Sequence, residues 1–161
     1  AGRGFQERRH AHTVLYRHRS NRYRDKDPVP VDLALDHHYA GIVSVVVEPT
    51  GGADPVDLDA WLDNEGLPPL FTDGPVASCA QWTAVPRDAM TSNAPMDLGS
   101  PPPGPDATMQ VFFLEGDPQA CWDRFVDYAA RLEASGVGRV TSAAPFLRTE
   151  VGTDRYVDEL W

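Results

Sequence analysis

The sequence predicts an α+β fold of four strands and two helices in the order β-α-β-β-α-β, preceded by a basic arm. Three observations predict it. Apolar, β-branched runs alternate with segments of helical spacing. Asp-Pro dipeptides at Asp54 and Asp117 mark two helix starts, an N-cap followed by a first-turn proline. The two halves also repeat: VSVVVEPTGGADPVDLDAW and MQVFFLEGDPQACW each hold an apolar strand, an acid, a Gly-containing turn, Asp-Pro and a helix bearing Trp.

Residues 1–39 read as a basic N-terminal arm, partly extended, and residues 40–161 as the domain. In the arm, His12–His18 contains TVLY and suits a strand, and Asn21–Pro30, with Asp27-Pro28 and Pro30, suits a turn-rich stretch. The run VDLALDHHY, residues 31–39, fits either a short helix or an extended lead-in. Ile42–Glu48 is a β-branched strand closed by Pro49 and Gly51-Gly52. Val56, Leu58, Trp61 and Leu62 give the first helix an apolar stripe, ending near Gly66–Pro69. Val76–Val85 reads as a strand stopped by Pro86, and residues 87–106, with five prolines, as an irregular loop, either a lid or disordered. Met109–Glu115 is a second strongly apolar strand. The helix that begins at Asp117-Pro118 carries Trp122, Phe125, Val126, Ala129 and Leu132, and Gly136 ends it in the left-handed conformation. Val137–Val151 is the last strand, and Tyr156–Trp161 is a short amphipathic tail.

Two such units in tandem form the split β-α-β arrangement of the ferredoxin-like fold. Its first and third strands are central and its second and fourth are edges, which matches Gln81, Pro145, Arg148 and Thr149 on the expected edges. The central strands lack the usual one-sided alternation. Ile42 and Val46 flank Ser44 on one face, with Val43, Val45 and Val47 on the other. Met109, Val111 and Phe113 face one way, and Phe112 and Leu114 the other. Two helices cover one face only, so the second calls for a partner sheet, that is, a homodimer through the sheet face. The competing arrangement lets the N-terminal arm cover that face within one subunit.

Composition narrows the function classes. Hydrophobic residues at 42% and charged residues at 24% are ordinary for a globular protein. The longest apolar run, about six residues around Val43, falls far short of the roughly 18 of a membrane span. Two cysteines, no CxxC and no secretory start point to a reduced, cytoplasmic setting. The net charge of −10 is uneven: eight cations and two acids give residues 1–26 a balance of +6, leaving −16 for the rest. So acidic a body argues against wrapping nucleic acid, and leaves the arm free to act as a strand or to touch anions.

The segment Trp61-Leu-Asp-Asn-Glu-Gly-Leu-Pro-Pro-Leu70, followed by Gly74-Pro-Val-Ala-Ser78, carries a family resemblance. With the order of elements over residues 40–151, it resembles the dimeric α+β barrel superfamily and, within it, the EthD-like proteins. Their pattern is an aromatic-rich helix, a Glu-His-Leu-Pro turn and an apolar strand just after a Gly. Glu65, Leu67, Pro68 and Gly74 match, but Gly66 stands where the family usually has His. In family enzymes that His is commonly a proton-transfer residue or close to one. The resemblance thus implies that another residue does the work here, or that the chain is not a catalyst of that type. Cofactor-free oxygenases, polyketide cyclases, dehydratases, isomerases and haem enzymes all occur in the superfamily, and fold alone does not select among them.

Candidate chemistry gathers in Asp36-His37-His38-Tyr39. A His beside a carboxylate works as acid or base near neutrality, and a Tyr hydroxyl holds a developing oxyanion. The plain alternative is a polar lead-in with solvated imidazoles. Glu65 keeps the family position, and otherwise is a solvated acid near a helix end. Trp61, Phe71, Trp82 and Trp122 are candidates for lining an apolar cavity between helices and sheet, or are plain core. His10 and His12 lack a third ligand, Cys79 and Cys121 read as buried thiols, and no Ser-His-Asp pattern is present, so no metal or cofactor is expected. The function expected is a small cofactor-independent enzyme that transfers protons on an apolar aromatic or polyketide-like molecule. His37 or His38 would be the base, Tyr39 the oxyanion donor, and Trp61 and Trp82 the substrate holders. The alternative is a non-catalytic dimeric module that binds a small molecule or a protein.

Overall fold

The structure is a computed structural model that describes residues 15–34, 36–85 and 104–148. Strand β1 spans Tyr16–Tyr23 and β2 Gly41–Pro49. Helix α1, Pro55–Trp61, runs into a π-helical turn, Leu62–Gly66, and the single turn α2, Pro68–Phe71. Strands β3, Val76–Ala84, and β4, Thr108–Leu114, precede helix α3, Trp122–Ser135, and strand β5, Gly138–Leu147. The five strands form one sheet in the order β1-β3-β4-β2-β5, with every neighbouring pair antiparallel. The α+β class expected from the sequence is observed, and the architecture is compatible with a ferredoxin-like fold in general.

Several local expectations follow the chain closely. Asp54 caps α1 by accepting from Val56 N at 2.9 Å, with Pro55 at the first helical position. Gly136, at φ 75°, ends α3 in the left-handed region, its N–H bonding Glu133 O at 3.1 Å. The second Asp-Pro behaves differently. Asp117 accepts from Gln119 N at 2.8 Å in a separate turn, and α3 starts only at Trp122.

The arm is where the fold departs from expectation. β1 begins at Tyr16, residues 12–14 of the expected strand lying outside the described ones, and continues to Tyr23 into the stretch expected to turn. It pairs along β3 from Tyr16–Ala84 to Tyr23–Ser78. β3 is therefore an inner strand, and Gln81, expected on an edge, is buried there. Arg19 and Arg22 fasten β1 to the helix layer through Asp59 and Asp63, the second pair at 2.7 Å. Arg24 adds Glu115 at 2.8 Å.

The helices cover one face of the sheet. Val43, Val45 and Val47 of β2 and Phe112 and Leu114 of β4 pack there against Leu58, Trp61, Phe125 and Tyr128. On the opposite face, the segment left open by the sequence is a 3-10 turn, Val31–Leu33, followed by non-helical residues. Ala34 and Tyr39 lie on Phe113, Ala77 and Ala80, so the chain itself shields one end of this face. Ser44, Val46, Met109 and Val111 remain half-exposed beyond it, and Phe146 is 52% exposed. The Pro-rich loop as far as residue 103 and the strand and tail residues from 149 lie outside the described ones. Among the described residues no helix is long and apolar enough to cross a membrane.

Candidate functional site

The lead-in to β2 builds a cleft at the shielded end of the open face. His37 N bonds Leu33 O at 3.1 Å, and Tyr39 N bonds His37 O at 3.0 Å, a tight turn that brings both rings to the same place. Ala40 N then bonds Leu114 O at 2.8 Å, and Arg148 N bonds Ala40 O at 3.3 Å, tying the turn to β4 and the end of β5. The result is a cleft of about 270 Å³ lined by Ala34, His37, Tyr39, Gly41, Ile42, Phe113, Leu147 and Arg148. Register sets its floor, since Ile42 pairs with Phe113 on β4 and Gly41 with Leu147 on β5. The His37 and Tyr39 rings meet edge-on at 4.5 Å, and Tyr39 leans on Phe113 at 5.4 Å. Tyr39 is buried and His37 exposed, so the cleft offers an imidazole at its mouth above an aromatic wall.

The other residues singled out from the sequence do not converge here. His38 is exposed and lies outside the lining. Trp82 shares the open face but stands two strands away on β3, edge-on to His18 at 6.0 Å. Trp61 is on the other side of the sheet, buried between Tyr128 at 5.8 Å and the guanidinium of Arg131 at 5.9 Å. The expectation that Trp61 and Trp82 jointly hold a substrate is corrected by this placement: a β-sheet separates them. Glu65 is exposed on the π-helical turn, where its carbonyl accepts from Arg131 Nη1 at 2.9 Å. Phe71 is half-buried beside Leu67, Pro68, Tyr23 and Arg22 in a different cleft of about 360 Å³.

Gly66 has a structural cause. A Cβ built on it would strike Trp61 Cζ3 and sit 2.9 Å from Cε3, so the buried indole fills the space a side chain would need. The π-helical turn, closed by Leu67 N to Leu62 O at 2.9 Å, sets Gly66 beside that ring. No imidazole fits there while Trp61 holds its place.

One polar arrangement escaped the sequence reading. Tyr128 Oη donates to Gln110 Oε1 at 2.8 Å, Gln110 Nε2 approaches Gln81 Oε1 at 3.4 Å, and Gln81 Nε2 donates to Ser20 Oγ at 3.2 Å. This chain crosses from α3 through β4 and β3 to β1 beneath the helices. Burial drives the Tyr128 phenol well above its ordinary value, and likewise the thiol of nearby Cys79. The signal was available: Gln110 is in phase with Phe112 and Leu114, which marks it as inward-facing. Among the described residues no three His, Cys, Asp or Glu side chains gather as a metal site; His10 and His12 lie outside them.

Fold and site together define an α+β domain with a five-stranded antiparallel sheet, helices on one face and a small aromatic cleft on the other. Comparison of the chain with protein-family models, curated proteins and solved structures finds no match in any of the three.

Proposed function

We propose that the chain is a ferredoxin-like domain of the dimeric α+β barrel kind that acts, without a cofactor, on a small apolar molecule held in the cleft beside Tyr39. His37 is the proton-transfer group and Tyr39 the donor to a developing oxyanion. The observation that carries this reading is the meeting of the two rings at 4.5 Å in a cleft floored by Ile42 and Phe113. An imidazole at the mouth reaches both water and ligand, as a general base must. A volume of about 270 Å³ lies just below the roughly 300–1,000 Å³ of most ligand pockets, which favours one ring or two fused rings.

A panel of aryl 1,3-dicarbonyl compounds in D₂O, followed by the loss of their α-proton NMR signal, tests the assignment. Exchange accelerated by the protein should vanish in His37→Asn and persist within about twofold in His38→Asn. Dependence on His38 instead, with His37 dispensable, overturns it.

A second reading, a binding module without catalysis, draws on Gly66. The position of the family's proton-transfer side chain is taken up by Trp61, and aromatic side chains pack the space between helices and sheet. Under that reading ligands occupy the cleft and none is turned over. In both readings a second copy covers the open face, where Val46, Met109 and Val111 are half-exposed and Phe146 is exposed.

A further inference from the structure

We infer that the otherwise apolar molecule held in the cleft carries a carboxylate, as an aromatic acid of one or two rings does, and that Arg148 receives it. This rests on the cleft being the ligand site. The chain has 24 acidic residues against 14 Lys and Arg, yet none of the eight residues that line the cleft is an acid. Its one permanently charged residue is Arg148, and its one imidazole is that of His37. Arginine presents two parallel N–H donors that match a carboxylate, a geometry that a lysine or a lone imidazole does not offer.

The remaining lining fits the body of such a ligand. Ile42, Phe113 and Leu147 supply an apolar floor, and the edge-on rings of His37 and Tyr39 supply a wall against which a flat molecule stacks. The backbone bond from Arg148 N to Ala40 O holds the root of the guanidinium side chain against the turn that carries His37 and Tyr39. A ring on Phe113 with its carboxylate toward Arg148 keeps its far edge within reach of the imidazole. The acidic body repels anions at long range, so the preference arises at contact, within the cleft.

Benzoate, benzamide and benzylamine share one ring and differ in charge, so they separate the charge preference from the cleft assignment. Each is titrated into the full chain while the backbone amide signals of Ile42, Tyr39 and Phe113 are followed by NMR. Benzoate should bind at least tenfold more tightly than benzamide, and benzylamine more weakly than both. Arg148→Gln, at an exposed position, should bring benzoate down to the benzamide level and leave benzamide unchanged. Equal binding of benzoate and benzamide at these amides, or benzoate binding unmoved by Arg148→Gln, overturns the anion preference while the cleft stands. Failure of all three probes to perturb these amides overturns the anion preference and the cleft assignment together.

Discussion

The phenol of Tyr128 donates a 2.8 Å hydrogen bond to Gln110 Oε1 in the layer between α3 and the sheet, where both side chains are fully buried. A buried amide carbonyl that loses its donor keeps the whole desolvation cost of the group. Tyr128→Phe should therefore lower stability by about 1–3 kcal/mol, more than the removal of one exposed hydroxyl would. Urea unfolding checks it. Gln81→Leu should cost a similar amount, and the double variant less than the sum, because the groups belong to one network. Strict additivity would show that the relay is not energetically connected.

Burial of titratable groups fixes the alkaline limit of the fold. The Tyr128 phenol and the Cys79 thiol are pushed up by burial, and Tyr16 by burial and then by Glu48. The unfolded chain ionises them at their ordinary values, 9.0 for the thiol and 10.0 for the phenols. Folded protein thus binds more protons than unfolded protein above about pH 9, and stability falls as pH rises. Urea midpoints should decline from pH 9 to 11, with a shallower decline in Tyr128→Phe. In native protein at pH 8, Cys79 should also resist a thiol reagent until urea is added. Its modification at the rate of a free thiol would contradict the burial argument.

Gly66→Ala should destabilise the fold by about 1–3 kcal/mol, since the added methyl meets the buried Trp61 ring. Thermal unfolding measures it. Trp61→Leu in the same chain vacates the space, so the alanine should cost less in that background than in wild type. Equal cost in both would place the strain elsewhere.

Pairing through the open face makes a simple mass prediction. Light scattering at micromolar concentration should give twice 17.7 kDa, and Val111→Arg, a half-exposed position on β4, should return it to 17.7 kDa with the circular dichroism unchanged. A wild-type protein at the single mass removes the pairing.

The legible parts of this fold are those written in contiguous residues. β2, β3 and β4 are short β-branched or apolar runs between proline and glycine, and their ends fall within a residue or two of expectation. The arm was harder because its partners are remote. Arg22 and Arg24 fall in the stretch expected to turn and Arg19 just before it, yet they pair with Asp63, Glu115 and Asp59, and β1 joins β3 some 60 residues away. At the site, the sequence names His37, His38 and Tyr39 together, and only the packing of Tyr39 on Phe113 decides which imidazole enters the cleft. The sequence marks Arg148 only as an edge residue; its place beside Gly41 and His37 depends on the register of β5 against β2.

Both outermost strands are broken ribbons. β1 carries a bulge at Arg19, between His18 and Ser20, and β5 a bulge opposite Val46 and Val47 together with Pro145, which has no N–H to offer. A newcomer trying to lengthen the sheet sideways meets a kink on either flank and, along β5, a missing donor. Growth into fibres by edge pairing is discouraged at both rims.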